Sequence, residues 1–471
     1  MALVIAGDRS GVGKTTVTLA LLSYLSQQSK RVQSFKVGPD YIDPMFHTAV
    51  TGRPCRNLDP VLTSESYVQS CFSRHSQGVD YVLVEGVMGL FDGISPDWRL
   101  ADERVSDRRE LNFLFADFAS TAHIARLLHL PILLVLDCSR LSTSVAAIVH
   151  GYRTLDPRIN LVGIVLNRVA SDRHLELLQD ALRPLNLPIL GVLRRSEQIT
   201  IPDRHLGLVP TDEIGQLEII FARLAHIAKT CFDWHHLLPL LQPTKNSSIV
   251  HSSFPLPHSP IKIAIARDRA FNFYYQDNLD ILTQLGATLI PWSPLIEESL
   301  PDDIGGMYFG GGFPEVFARQ LAENQLARHQ VRQAIQSGIP TYAECGGLMY
   351  LCQQLVDFEG QVWPMVGVLP TTVIMSKNLT LGYRRVTALQ DSPPIEIGQT
   401  FWGHEFHRSQ LTSSPLKPLW QIKGYKSNTR TSTEGWQLRQ LHGSYIHLHF
   451  GECQNLPKRF FQYCYRQRDP L

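Results

Sequence analysis

Two short stretches of the sequence place reactive residue types at spacings that chemistry can use. In IPTYAECGGLMYL, residues 339–351, a strand-like run turns sharply at Cys345-Gly346-Gly347 into a helical pattern. Such an elbow strains and exposes a nucleophile. A thiol attacks well once a base favours its thiolate, and His447 in GSYIHLHF can be that base. The Gly346 N–H can face an oxyanion, and YFGGGFPE supplies a second donor set, Gly311 and Gly312, where glycine allows close backbone approach. Cys138, Cys231 and Cys352 have no such setting and are expected to be inert packing groups. HEFH at 404–407 has its histidines three apart in a segment that reads as extended, so it is not a zinc helix.

The second stretch is GDRSGVGKTT, residues 7–16, between the strand-like ALVIAG and the helical run VTLALLSYL. Gly11 and Gly13 let backbone N–H groups turn toward phosphate oxygens. Lys14 reaches the outer phosphates, and Thr15 and Thr16 open the helix whose N-terminus favours negative charge. Arg9 reads as solvent-facing. Two acidic stretches follow other strands: KVGPDYIDP carries Lys36, Asp40 and Asp43, and VEGVMGLFDG carries Glu85 and Asp92. Hard oxygens at strand ends beside a phosphate loop suit Mg²⁺, for which Thr15, Asp40 and Glu85 are the expected ligands. Lys36, Asp43 and Asp92 are left to face substrate or intermediate, although Asp43 and Asp92 taken singly read equally as turn or cap formers.

These residues need a scaffold that brings strand ends together. Six apolar runs in the first half, ALVIAG, VQSFKVG, YVLVEGV, ILLVLD, LVGIVLN and ILGVLR, are each followed by turn residues and a helical pattern. Buried parallel strands read this way, and a doubly wound α/β sheet is expected, with ligands at the carboxyl ends of its strands. A proline- and serine-rich stretch at 242–260 marks a linker between a first domain at 1–241 and a second at 261–471. Alternation resumes with IKIAIARD, ATLIPW, GGMYFGGG and IPTYAEC, predicting a second α/β domain, and the text from about Val366 turns β-like.

Composition narrows the partners. Of 471 residues, 44 are basic and 43 acidic, a net charge of +1 that gives no long-range field for nucleic acid or an anionic membrane. The apolar run Leu127 to Leu136 is interrupted by Pro131 and is too short to span a bilayer. Eight cysteines without a CxxC pair suggest neither a disulfide framework nor structural zinc, and with no export leader a reducing cytoplasm is expected. Self-association is left open.

The long phosphate loop resembles that of dethiobiotin synthetase. Over essentially its full length the chain resembles the cobyrinic acid a,c-diamide synthase (CbiA) family. The stretches that carry the likeness are GDRSGVGKTT, FKVGPDYIDP, VEGVMGLFDG, RHLGLVP, FNFYYQDNLD, FGGGFPE, YAECGGLMYL, GHEFHRS and SYIHLHF. The resemblance implies a P-loop ATPase domain joined to a class I glutamine amidotransferase domain. It also implies ATP- and L-glutamine-dependent amidation of the a and c acetates of cobyrinic acid through acyl phosphates. Cys345 is then the nucleophile and His447 its base. Class I amidotransferases usually carry glutamate two residues after that histidine, where this chain has His449. Glu344 or Glu405 could substitute, and a Cys/His dyad is the working expectation. Tyr383, Arg384, Arg385, His404 and His407 offer cationic and hydrogen-bonding groups to a polyanionic macrocycle. Cobyric acid synthase is the nearest rival, but it lacks VGPDYIDP after its second strand. Hydrogenobyrinate and nickel sirohydrochlorin are alternative substrates within the family, and a nucleotide-dependent switch protein is the alternative from another class.

Overall fold

The computed structural model describes residues 2–95, 117–195, 203–204, 207–243, 260–425, 431–451, 453 and 455–468. The expected linker falls almost wholly outside them. The chain divides into two compact units, Met1–Pro60 with Ser64–Val250, and Val61–Thr63 with His251–Leu471. Both are α/β, as the strand-helix alternation requires.

In the first unit, β1 (Leu3–Gly7), β2 (Val32–Val37), β3 (Arg56–Leu58), β4 (Tyr81–Glu85), β5 (Pro131–Asp137), β6 (Asn160–Val169) and β7 (Ile189–Arg194) form one sheet. Its order is β3-β2-β4-β1-β5-β6-β7, and every pairing is parallel. Strands β1 and β5 are buried along their whole length, which is why they read as continuous apolar runs rather than as alternation; β2 is equally buried but carries Gln33, Ser34 and Lys36. Among the helices are α1 (Lys14–Gln27), α2 (Ile42–Thr51) and α3 (Glu65–His75). At three helix starts a serine hydroxyl accepts the backbone N–H three residues on: Ser64 from Tyr67, Ser120 from His123 and Ser171 from His174. A short antiparallel pair, β8 (Asp203–Arg204) and β9 (Gly207–Leu208), follows β7.

The central sheet of the second unit contains β10 (Ile261–Ala266), β11 (Ala287–Trp292), β12 (Ile304–Phe309), β13 (Thr341–Glu344), β20 (Trp436–Leu438) and β21 (Leu441–Ser444). The order is β11-β10-β12-β13-β21-β20, parallel except for the β20–β21 pair. Most of the β-like text after Val366 joins a second sheet that begins just before it: β14 (Cys352–Val356), β15 (Val362–Pro364), β16 (Leu369–Ala388), β17 (Thr400–Leu411), β18 (Trp420–Gly424), β19 (Ser432–Glu434) and β22 (His447–Leu448). The long β16–β17 ladder changes register between Met375 and Thr380. Such an irregularity re-aims the side chains beyond it.

Among the described residues no disulfide forms, and no helix is long and apolar enough to cross a membrane. Leu134, wholly buried in β5, has no room to be shortened without a cavity. Leu134→Ala should therefore lower stability in equilibrium urea unfolding by about 2–5 kcal/mol; a change below about 1 kcal/mol would contradict the packing described.

Candidate active sites

The parallel register of β2 and β4 sets Lys36 opposite Glu85 at the carboxyl end of the sheet. There the Lys36 ammonium donates to Asp43 Oδ2 at 2.5 Å, to Glu85 Oε1 at 2.9 Å and to the Gly86 carbonyl at 3.2 Å. The Thr15 hydroxyl, on the first turn of α1, donates to Glu85 Oε1 at 2.7 Å and lies 3.4 Å from Asp43 Oδ2. Four of the expected residues thus meet at one point.

Burial opposes charge on Lys36, but Asp43, Glu85 and Asp40 outweigh it and hold its pKa above the ordinary lysine value. Burial likewise opposes charge on Glu85, yet Lys36, His47 and Thr15 keep its carboxyl below the usual range. Asp43 is the surplus carboxylate around a single ammonium, and burial together with Asp40 pushes it up to about 7. Lys14, 8% exposed, donates to the Met88 carbonyl at 2.5 Å. Burial and then the nearby Lys36 lower its pKa, so an arriving phosphate would relieve a poorly compensated cation.

The loop itself is shaped by Gly13, which caps α1 at φ 100°. Only glycine fits, because a Cβ there would lie 2.3 Å from the Asn167 amide nitrogen, which is held by the Val12 carbonyl at 2.7 Å. Gly11 also has positive φ, and Thr16 continues α1 behind Thr15.

Three expectations need revision. Asp40 is not grouped with Thr15: its Oδ1 accepts the backbone N–H groups of Ile42 and Asp43 at the start of α2, and its other oxygen is 3.8 Å from Lys36 Nζ. Asp43 takes the place beside Thr15 and Glu85. Asp92 is exposed and accepts the Gly89 N–H at 2.7 Å, which is the work of a turn former. His47, which carried no motif, is fully buried on α2 with Nε2 2.7 Å from Glu85 Oε2 and Nδ1 3.4 Å from the Cys55 sulfur. Its position four residues after Asp43, on the same helix face, was the available signal. Arg9 is 56% exposed and pairs with Asp8 and Asp137, as a solvent-facing residue would.

In the second unit, Cys345 sits between β13 and the helix Gly346–Leu351 at φ 48°, ψ −103°, a region that non-glycine residues rarely occupy. It is 3% exposed, and its sulfur is 3.7 Å from the Phe406 carbonyl. Burial, with Glu315 next, pushes the thiol upward, so it rests protonated and needs a base. The Cys345 elbow and His447 converge on the Gly311–Gly312 turn. The space of a Cβ on Gly346 would fall 3.0 Å from Gly312 N, and that of a Cβ on Gly311 would fall 2.6 Å from His447 Cε1. Gly312, at φ 151°, has no room for a side chain either, since a Cβ would meet the Ala270 carbonyl at 2.1 Å.

His404 and His407 were expected to face a macrocycle, but the fold draws them into the wall of the cysteine site. His404 is the cross-strand partner of His447 and is buried; burial and then His447 lower its pKa to about 3. His407 is buried between the Glu405 carboxylate, 3.1 Å from Nε2, and the Ser409 carbonyl, 3.0 Å from Nδ1, and it stacks on Tyr445 with ring centroids 3.9 Å apart. Tyr383 lies opposite His404 in the β16–β17 ladder, where Arg384 donates to Glu405 at 2.6 Å and Arg385 lies opposite Trp402. The HEFH segment is a strand, which no zinc helix could be. Cys138 and Cys352 are buried and their thiols pushed up by burial, the former to about 12, in keeping with inert packing.

Comparison with known proteins matches residues 3–209 to the CobQ/CobB/MinD/ParA nucleotide binding domain and residues 262–454 to the CobB/CobQ-like glutamine amidotransferase domain. The chain is 56% identical to a cobyrinate a,c-diamide synthase of a Synechococcus species over 98% of both chains. It is 53% identical to that of a Synechocystis species, over 98% of this chain and 93% of the relative. It is 46% identical to that of Gloeobacter violaceus, over 98% of this chain and 97% of the relative.

The positive φ at Cys345 has a measurable cost, of about 1–3 kcal/mol for a non-glycine residue. Cys345→Gly should therefore be more stable than Cys345→Ala in thermal unfolding, while both lack glutaminase activity. Equal or lower stability of the glycine variant would show that the elbow is unstrained.

Proposed function

The chain belongs to the cobyrinate a,c-diamide synthase family, and from that premise we propose how its two units divide the amidation of cobyrinic acid. It is a glutamine-dependent amidating ligase of cobalamin biosynthesis. Residues 1–241 act as the ATP-dependent amidoligase, and residues 261–471 act as the glutamine amidotransferase.

A carboxylate does not react with ammonia unaided, because oxide would have to leave. In the first unit an acetate oxygen of the corrinoid attacks the γ-phosphorus of ATP, giving an acyl phosphate and ADP. Ammonia then adds to the acyl carbon and inorganic phosphate departs, first at one acetate and then at the other. Lys14 and the Gly11–Gly13 turn hold the outer phosphates, and Lys36 faces the charge that builds on the transferring group. The Thr15 hydroxyl, near both Glu85 and Asp43, and those two carboxylates fit Mg²⁺ as hard donors. Bound there, the ion would neutralise phosphate charge.

In the second unit the Cys345 thiol passes its proton to His447 as the sulfur attacks the side-chain carbonyl of glutamine. The oxyanion is held by the Gly346 N–H and by the turn at Gly311 and Gly312. The imidazolium protonates the departing ammonia, and water then hydrolyses the thioester to glutamate. ATP and glutamine place the reaction in the cytoplasm. The observation that carries this reading is the coexistence, in one chain, of a strained cysteine elbow and a buried histidine that meet at one glycine turn, and of a phosphate loop lined by carboxylates and lysines.

With cobyrinic acid, Mg-ATP and glutamine, the product should carry two amides by mass spectrometry, and four would point instead to cobyric acid synthase chemistry. Cys345→Ala should abolish glutamine-dependent amidation while ammonia still supports it. Lys14→Ala should reduce amidation by about 10²-fold or more with either nitrogen source, yet keep glutaminase turnover. Glutamine-dependent amidation by Cys345→Ala would remove the thiol from the mechanism.

A further inference from the structure

We infer that Glu344, the residue immediately before the nucleophile, orients His447 and so completes a Cys345–His447–Glu344 triad, an inference that rests on the glutaminase reading above. Two residues after His447, where other class I enzymes place the carboxylate, this chain has His449, and its side chain is engaged elsewhere. Its Nδ1 accepts the Gly451 N–H at 3.1 Å, its Nε2 lies 3.8 Å from Asp277 Oδ2, and its ring rests on Tyr275 at 4.9 Å.

The carboxylate that does face His447 comes from the other side of the site. Glu344 Oε2 lies 3.8 Å from His447 Nδ1, and both residues are buried, Glu344 at 2% exposure and His447 at 0%. That separation is longer than a hydrogen bond, as catalytic contacts often are before substrate binds. Three donors fix the carboxylate in place. Tyr342 donates to Oε1 at 2.6 Å, Tyr308 donates to Oε2 at 3.0 Å, and the Leu448 N–H donates to Oε1 at 2.9 Å. The last bond ties Glu344 to the residue next to His447, so the backbone that carries the base and the group that would steer it are locked together. Burial and Glu344 hold both tyrosines well above the ordinary phenol pKa, which keeps them neutral donors. Glu405 is otherwise committed, with one oxygen on Arg384 at 2.6 Å and the other on His407 at 3.1 Å.

With Nδ1 turned to Glu344, Nε2 is left toward Gly311, whose missing side chain makes room for the ring: a Cβ there would lie 3.3 Å from Nε2. That is the nitrogen that must take the proton from sulfur. Glu344 faces His447 at Nδ1 and His404 faces it from β17; Arg384 acts on His404, and Glu315 and Glu405 act on the neighbouring Cys345 elbow. A carboxylate beside Nδ1 stabilises the positive charge that the ring gains with the sulfur's proton, so its loss should show in the pH profile of the thiol.

The test uses the full chain. Glutaminase kcat and KM are measured for Glu344→Gln and Glu344→Asp, together with the pH dependence of Cys345 alkylation by iodoacetamide, followed on the Cys345 peptide. Glu344→Gln should lower kcat by about 10²- to 10⁴-fold, toward the loss seen when the carboxylate that orients a catalytic imidazole is removed, with KM for glutamine within about 2-fold. The alkylation inflection that reports imidazolium deprotonation should move to lower pH, and Glu344→Asp should restore part of both. Wild-type kcat and an unmoved inflection in Glu344→Gln would overturn the assignment. So would the same loss and shift in Glu405→Gln but not in Glu344→Gln. If both Glu344 variants lost ammonia-dependent amidation along with glutaminase, the role would be structural and the inference wrong. Absence of glutaminase from the wild-type chain would instead sink the underlying reading.

Discussion

A lysine ammonium with two carboxylates and almost no water is an expensive arrangement, and the first unit is built around one. Lys36 and Glu85 face each other because β2 and β4 run parallel in that register, and Asp43 closes on the same ammonium from α2. Buried ion pairs of this kind give little net stability, whereas removing one partner typically costs about 3–5 kcal/mol. Their presence is better understood through chemistry. On the proposed reading, the carboxylates and the Thr15 hydroxyl form a hard-oxygen cradle at the helix N-terminus, and the lysines hold positive charge for an arriving phosphate.

The second centre solves a different problem with a similar scaffold. Parallel strands β12, β13 and β21 end together, so the glycine turn, the cysteine elbow and the segment leading to His447 all issue from the carboxyl end of the sheet. The added mixed sheet brings β17 antiparallel against β22, which closes the site with His404 and with the ordered set Arg384, Glu405 and His407. A buried, protonated thiol at a strained backbone position is a poor packing residue. It is a sensible nucleophile once an oriented imidazole can take its proton.

Much of this was legible in the sequence, because parallel strands buried on both faces leave uninterrupted apolar runs and functional residues follow them at the carboxyl ends. Lys14, Thr15, Lys36, Glu85 and Cys345 were singled out that way, and the structure gathers the first four at one strand-end cluster. What was not legible depended on pairing across the chain. That His404 lies beside His447 follows from β17–β22 pairing, which a sequence cannot reveal, so HEFH looked free to meet a macrocycle. Whether Asp40 or Asp43 joins Thr15 depended on which carboxylate α2 would spend on its own N-terminal amides. Both are acidic and lie within one turn. The short β3 was missed because Arg56-Asn57-Leu58 has no apolar periodicity to announce a strand.

The central claim is that the buried Lys36–Glu85–Asp43 cluster serves a transfer of phosphoryl from ATP to a corrinoid carboxylate. It is tested most directly by following the carboxylate oxygen itself. With cobyrinic acid labelled with ¹⁸O in its acetate carboxyls, one ¹⁸O should appear in inorganic phosphate for each amide formed. Finding the label in AMP, or phosphate free of ¹⁸O while amides accumulate, would contradict the account.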